Sequence, residues 1–442
     1  MRRSLLVPTL ASILGSLGML HAERALAVPP ETRVAASFEE GNPFDANLTV
    51  GFRSEWKKAK IRREYQESGF TNGGSRIVND LMLDQSRKIL DLKAAIGLAP
   101  WVELHVGLPL VLGDSRTIAF DDGGGACGDG EGGRPTCVTA SNSTSVRDGI
   151  VPADLGKVQG PSRSGLETLD FGLGVAILRQ DWDDTKPTWV VDLDFKLAVG
   201  NTRGYDRAAT DSNTKIGPGY STMRLSTYTS RRLGPIEPLF GIYYDLPFAP
   251  DDKAFPGLVG GQREFRPQMD TGLVAGLDAT LHDKEQATLG LSLRVNAMAK
   301  FKGRGWSEIW EQLACAQPEI DTATSQQVRP RGMCVLPDGN TQTFSGATDI
   351  DNYGIFGGDL AVWGVWKKML RGSLGFGVRH DQSHLITNAT AGQDLDNDGQ
   401  VDLANRNEYN PLHHAVVDTV GHRYRVEGST TYQLMLSAEA LF

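Results

Sequence analysis

From Tyr424 to the last residue, Phe442, a mainly apolar series falls on every second position: Val426, Thr430, Tyr432, Leu434, Leu436, Ala438, Ala440 and Phe442. Glu427, Ser429, Thr431, Gln433, Ser437 and Glu439 sit between them. A strand alternates its faces with period two, so this segment has one oily and one polar face.

The same alternation recurs along the chain. Leu48, Val50 and Phe52 begin it and lead into a long polar extension through Tyr65. Leu90, Leu92, Ala94 and Ile96 turn at 97–100 and return through Val102, Leu104, Val106, Leu108 and Leu110. Two alternating runs joined by a few residues make an antiparallel hairpin. Further hairpins are centred on the turns 181–187, 234–235, 283–286 and 367–372. The pattern predicts an all-β, transmembrane, antiparallel up-and-down β-barrel of about twelve strands. A soluble β-sandwich or propeller is the alternative, but it does not need a continuous oily face on every strand.

Loop lengths support the barrel. One set of connections is short, roughly four to seven residues, as in periplasmic turns. The other set covers residues 67–78, 114–165, 201–220, 249–267, 303–350 and 386–421. An even strand number places both termini on the short-turn side and the long loops outside the cell. Trp101, Trp182, Trp189, Trp363 and Trp366 fall near short-turn ends, where barrels place aromatic girdles.

The first residues fit export. Arg2 and Arg3 precede an apolar stretch from Leu5 to Leu20, then Ala25-Leu26-Ala27 forms a small-residue cleavage site. The expected organisation is a signal peptide over 1–27, a periplasmic segment over 28–45 and an outer-membrane barrel over 46–442. Cleavage after Ala22 and an uncleaved anchor are the alternatives. Beyond this stretch no run of eighteen apolar residues exists, which excludes a helical membrane protein. The net charge of −9 argues against nucleic-acid binding.

Four cysteines form two local pairs in Gly-, Pro- and Asp-rich stretches, Cys127 with Cys137 and Cys315 with Cys334. In an exported chain these read as disulfides stapling loops, with a zinc site as the alternative. Asp394, Asp396, Asp398, the Gln400 carbonyl and Asp402 match the first half of an EF-hand-type calcium loop, with Gly399 at the bend. Position 12 is Asn405, where a glutamate is expected, and Glu408 comes late. Structural Ca²⁺ in the last long loop is the expectation, and a solvated acidic loop is the alternative.

The polar face of the strands supplies a second constellation. Asp170, Asp192, Asp194, Asp270, Asp278 and Glu103 are acidic; Arg224, Arg232, Arg294, Arg379, Arg423 and Arg425 are basic. Lining a lumen, they would form a selectivity filter for small solutes. As paired charges, they would merely fill a small barrel. No G-x-S-x-G, H-E-x-x-H or phosphate loop is present, and no histidine has serine two residues on, so an enzyme is not expected.

A terminal strand ending on an aromatic resembles the closing strand of bacterial outer-membrane β-barrels. The resemblance implies that Tyr432, Leu434, Leu436 and Phe442 form an assembly signal for the barrel-assembly machinery. The stretch Ile96-Gly97-Leu98-Ala99-Pro100-Trp101-Val102-Glu103-Leu104, closing on Leu108-Pro109-Leu110, resembles the phenol meta-pathway-like barrels. That likeness implies uptake of aromatic compounds, and the long cysteine-bearing loops depart from it. The combined expectation is an outer-membrane channel or transporter for small solutes, partnered by membrane lipid. The rivals are a sealed barrel presenting surface loops to a partner and a hydrophobic-compound channel.

Overall fold

The computed structural model describes residues 29–38, 43–65, 76–121, 129–130, 134–135, 137–151, 153, 162–204, 214–252, 255, 266–284, 286–314, 344–402, 405 and 407–442. Twelve long strands close into one antiparallel barrel. They are β1 (Ala46–Tyr65), β2 (Arg76–Ala99), β3 (Val102–Phe120), β4 (Thr168–Leu178), β5 (Thr188–Ala198) and β6 (Ser221–Ser230). Then come β7 (Ile236–Phe248), β8 (Asp270–Lys284), β9 (Ala287–Lys300), β10 (Tyr353–Trp366), β11 (Leu370–Asp381) and β12 (Tyr424–Leu441). Each pairs with its sequence neighbours, and β1 closes onto β12 from Asn47↔Leu441 to Arg63↔Tyr424. Closure pairs the backbone groups that an edge strand would leave open.

The expected loop asymmetry is present. Residues 100–101, 179–187, 231–235 and 367–369 make short connections, and β8 and β9 are joined as closely. The 367–369 connection is a mirror-image hairpin turn: Lys367 and Lys368 both have positive φ, and the Met369 N–H donates to the Trp366 carbonyl at 3.1 Å. The outer face is apolar, with Leu225, Phe240, Leu273, Val295, Phe356, Leu360 and Leu436 all exposed. A belt of that extent is a lipid-facing surface. Among the described residues no helix is long and apolar enough to cross a membrane, so the strands do the crossing.

The wall is not of even height. β1, β2, β3 and β12 run for 20, 24, 19 and 18 residues, against about 9–11 needed to cross the hydrocarbon. Their upper parts stand above the belt and turn apolar inward, through Ala59, Ile61, Leu81, Leu83, Ile118 and Val426. Against them pack Ile150, Val151, Ile309, Leu313, Phe344, Ile386 and Val417 from the long connections. Burial of one such aliphatic side chain contributes about 1.5–3 kcal/mol, so these loops are fixed inside the barrel mouth.

Two buried wall residues anchor the same loops. Asp80 of β2 accepts from Ser143 Oγ at 2.6 Å and from the Ser145 N–H at 3.1 Å, at the start of helix α1 (Thr144–Arg147). Arg63 of β1 donates to the carbonyls of Thr144 at 2.8 Å and His422 at 3.0 Å and pairs with Asp148 at 2.8 Å. The 114–165 region thus divides differently from the sequence expectation. β3 continues to Phe120, Arg163–Leu166 pairs back onto β3, and 144–151 folds inward.

The N-terminal segment also departs from expectation. Residues 29–37, expected in the periplasm, enter the short-turn end of the barrel. Thr32, Ala35, Ala36 and Ser37 are all buried there. The close approach depends on Gly97 of β2, where a Cβ would stand 2.6 Å from the Ser37 backbone nitrogen. The expected signal peptide lies outside the described residues.

Candidate functional site: a lumen divided by residues 29–37

Residues 29–37 touch the wall on several sides. The Thr32 hydroxyl meets the Ser230 hydroxyl of β6 at 2.9 Å. Glu31 accepts from Arg294 Nε of β9 at 2.8 Å. Arg33 pairs with Glu439 of β12. The Ala35 N–H donates to Glu103 Oε2 of β3 at 2.6 Å, and the Ala36 N–H donates to Asp45 Oδ2 at 2.9 Å. Burial raises the Asp45 carboxyl, although the Ala36 hydrogen bond opposes that shift.

The segment separates two spaces. On its β4–β7 side lies a vestibule of about 860 Å³ at the short-turn mouth, lined by Arg179, Trp182, Asp183, Arg232 and Glu237. On its other side lies an inner cavity of about 420 Å³ bounded by β1, β2, β3, β9, β10, β11 and β12. Arg33 lines both. The segment is therefore a septum.

Most of the predicted lumen charges face inward and are paired with neighbours along the wall. Asp278 takes Arg294 Nη1 at 2.6 Å, Asp270 takes Lys300 at 3.1 Å, and Arg224 Nε donates to Asp245 at 2.6 Å. Asp170 accepts from Thr168 at 2.6 Å. Asp192 and Asp194 stand two apart on β5, opposite Gly174 and Gly172. Arg379 faces inward from β11 beside Gly357.

Three predicted lumen residues lie elsewhere. Arg232 sits in the short turn 231–235, exposed at the vestibule, because β6 ends at Ser230. Arg423 precedes β12 and holds Glu64 at 2.8 Å at the tall rim. Arg425, at the top of β12, reaches Glu427 at 3.4 Å.

Two further inward groups were not among the predicted lumen charges. His105 lies between Glu103 Oε1 at 3.2 Å and Asp194 Oδ1 at 2.5 Å. Its same-face spacing with Glu103 was the available signal. Trp363, expected in the aromatic girdle, is 2 % exposed and faces the inner cavity. Trp101, Trp182, Trp189 and Trp366 are exposed, as a girdle requires.

At the other mouth, Lys57 of β1 pairs with Glu308 at 2.8 Å and Asp381 at 3.0 Å. Burial disfavours the charged Glu308, but the Lys57 ammonium prevails and holds that carboxyl down at about 2. Two further loop groups are pushed toward their neutral forms instead. Burial pushes Asp418 up to about 7, and burial, aided by Arg304 and His413, pushes His414 down to about 3.

The acidic motif gathers in part. Carboxylate oxygens of Asp394, Asp396 and Asp398 lie within 4.8 Å of one another. Asn397 and Gly399 have positive φ, and the Gly399 N–H donates to Asp394 Oδ2 at 2.9 Å. Asp402 is not in this group, and the buried Glu408 accepts from the Asp402 N–H at 3.0 Å and Asn405 Nδ2 at 3.1 Å. Cys137 is buried and not free, whereas Cys127, Cys315 and Cys334 lie outside the described residues. Tyr432, Leu434 and Leu436 lie on the lipid face of β12, and the Phe442 N–H donates to the Ala46 carbonyl at 2.9 Å.

No protein-family model and no curated protein matches the chain. Among solved structures, an outer membrane channel from Pseudomonas putida F1 matches with 11% identity and a TM-score of 0.40. The match covers 96% of this chain and 100% of that one. A Pseudomonas aeruginosa FadL homologue matches with 10% identity and a TM-score of 0.30, over 90% of each chain. The outer membrane protease OmpT from Escherichia coli matches with 10% identity and a TM-score of 0.28, over 90% of this chain and 98% of its own. These likenesses are loose, and the architecture rests on the strand pairing and the apolar belt. On those grounds the chain is a twelve-stranded β-barrel of the bacterial outer membrane.

Proposed function

We propose that the chain is a gated outer-membrane channel for small solutes, closed at rest by residues 29–37 and by its infolded loops. The observation that carries this reading is the septum: one short stretch, held by individual hydrogen bonds and ion pairs, divides two solvent-sized spaces. Such contacts can be broken and remade without disturbing the barrel. The paired charges along the wall act as the filter once the septum moves. Disulfides within the cysteine-bearing loops and Ca²⁺ at Asp394, Asp396 and Asp398 fix the shape of the outer mouth in this reading.

The test is single-channel conductance in planar bilayers of the chain without residues 1–27, beside a chain also lacking 29–38. Rare, brief openings in the first and sustained ohmic steps in the second are expected. Silence from both, with heat-modifiability proving that both are folded, would overturn the channel.

One observation favours a sealed barrel that presents its loops to a partner. The apolar core at the outer mouth joins wall strands to loops more firmly than polar contacts would. Silence in both chains would move the weight to that reading.

A further inference from the structure

The inner cavity has an imbalance of hydrogen-bonding groups. Four carboxylates line it, and each already accepts from a donor. Glu31 has Arg294, and Glu103 has the Ala35 N–H. Asp359 has Asn296 and Gln433, and Glu439 has Arg33. The donors are not matched in this way. Of the buried side-chain nitrogens and oxygens without a partner among the described residues, two belong to cavity-lining residues: Arg33 Nη1 and Trp363 Nε1. Both are donors. Lys93 also lines the cavity and makes no ion pair among the described residues. A buried donor without a partner costs about 1–3 kcal/mol, and an incoming acceptor recovers it.

Position adds to this. Arg371 of β11 lays its guanidinium over the Trp363 ring at 5.1 Å from the centroid, which fixes the fork against a flat wall. Arg33 and Arg371 lie within electrostatic reach of one another, with Glu439, Asp278 and Glu31 in reach of Arg371 as well. Guanidinium matches carboxylate geometry in a way an ammonium does not. Ala95, Ala361 and Met435 supply an apolar side to the same space.

We infer that the inner cavity is a binding site for a small organic carboxylate, held by Arg33, Arg371, Lys93 and the Trp363 N–H. This rests on the reading of the cavity as the inner chamber of a closed channel. It also gives that chamber a sign: anions are held where cations find every carboxylate occupied.

The test uses the full chain without residues 1–27, folded in micelles, and saturation-transfer NMR with butyrate, butanol and butylammonium. Butyrate is expected to bind saturably, at least tenfold more tightly than the other two. Trp363→Phe keeps an aromatic face but removes the N–H together with the pyrrole part of the indole, and should weaken butyrate roughly tenfold or more, at least the worth of one hydrogen bond to a charged group. Lys93→Met should weaken it too, without touching the septum. Butyrate binding no better than butanol, or unchanged in both variants, would overturn the inference. The two readings fail separately. Butyrate binding by a chain that stays silent when shortened leaves the site and removes the channel. Conduction without butyrate preference does the reverse.

Discussion

The Ala35 backbone N–H donates to Glu103 Oε2 at 2.6 Å, so a wall carboxylate of β3 holds the main chain that crosses the lumen. The same carboxylate faces His105, which in turn reaches Asp194 on β5. A hydrogen bond to a charged group is worth roughly 1.5–3 kcal/mol. Glu103→Ala is therefore expected to raise the open-to-closed ratio about tenfold or more. Dwell times in single-channel records measure this, and an unchanged ratio would show that the bond does not hold the gate.

Gly290 of β9 stands directly opposite Trp363 of β10. A Cβ on Gly290 would lie 2.3 Å from the indole, so Gly290→Ala must push the ring aside. The expected cost is about 1–3 kcal/mol, as for other overpacked sites. It is read as a lower midpoint of heat-modifiability together with a shift in tryptophan emission. An unchanged midpoint would place the ring elsewhere.

The infolded loops at the outer mouth form a plug in which two buried groups tie stability to pH in opposite directions. Asp418, raised to about 7, keeps its proton in the folded plug where the unfolded acid has lost it. Its stabilisation is complete below the unfolded pKa of about 3.9 and is lost as pH rises to about 7. His414, lowered to about 3, is neutral in the plug, so its stabilisation is complete above about 6.5 and is lost as pH falls toward 3. Between roughly pH 4 and 6.5 the two slopes are opposite, and His413, also lowered by burial, adds to the His414 side. His414→Phe should leave a plug that weakens as pH rises through that range. Asp418→Asn should leave one that weakens as pH falls. Hydrogen exchange of residues 386–389 and 414–418 reads both, and parallel profiles in the two variants would contradict this assignment.

Calcium should order the 394–402 turn if the three gathered carboxylates bind it. Added Ca²⁺ is expected to slow exchange of the Asp398, Gly399 and Gln400 amides, and Asp396→Asn should abolish the effect. Magnesium, with its stricter octahedral demand, should do less. Equal protection in parent and variant would leave this as a solvated turn.

The barrel was legible in the sequence because strand alternation is local: Leu225, Leu273 and Leu436 each declare their face by parity with neighbours two residues away. The contents of the barrel were not. Nothing near Thr32 or Ala35 encodes contact with Ser230 or Glu103, since those contacts depend on where the closed wall places residues distant in the chain. Trp363 shows both sides of this. Its odd number on a strand whose even residues Phe356, Leu360 and Val362 face lipid gave its inward direction, but its place near a turn suggested the girdle. Arg232 and Arg423 were misplaced for a simpler reason: strand ends are set by pairing partners, and both lie just outside β6 and β12. The tall wall of β1 was visible as the polar extension through Tyr65, but its purpose appears only when Ile309 and Val417 pack behind it.

The septum itself can be locked. Thr32 and Ser230 place their hydroxyls 2.9 Å apart, so Thr32→Cys with Ser230→Cys should form a disulfide with little change in side-chain volume. Single-channel conductance of this double variant, oxidised and then reduced, with the parent chain under the same reductant as control, tests the central claim most directly. The expected result is no openings when oxidised, and openings of parental size and frequency when reduced. Identical openings in the oxidised and reduced double variant would contradict it, because solute would then be passing with the N-terminal segment bolted in place.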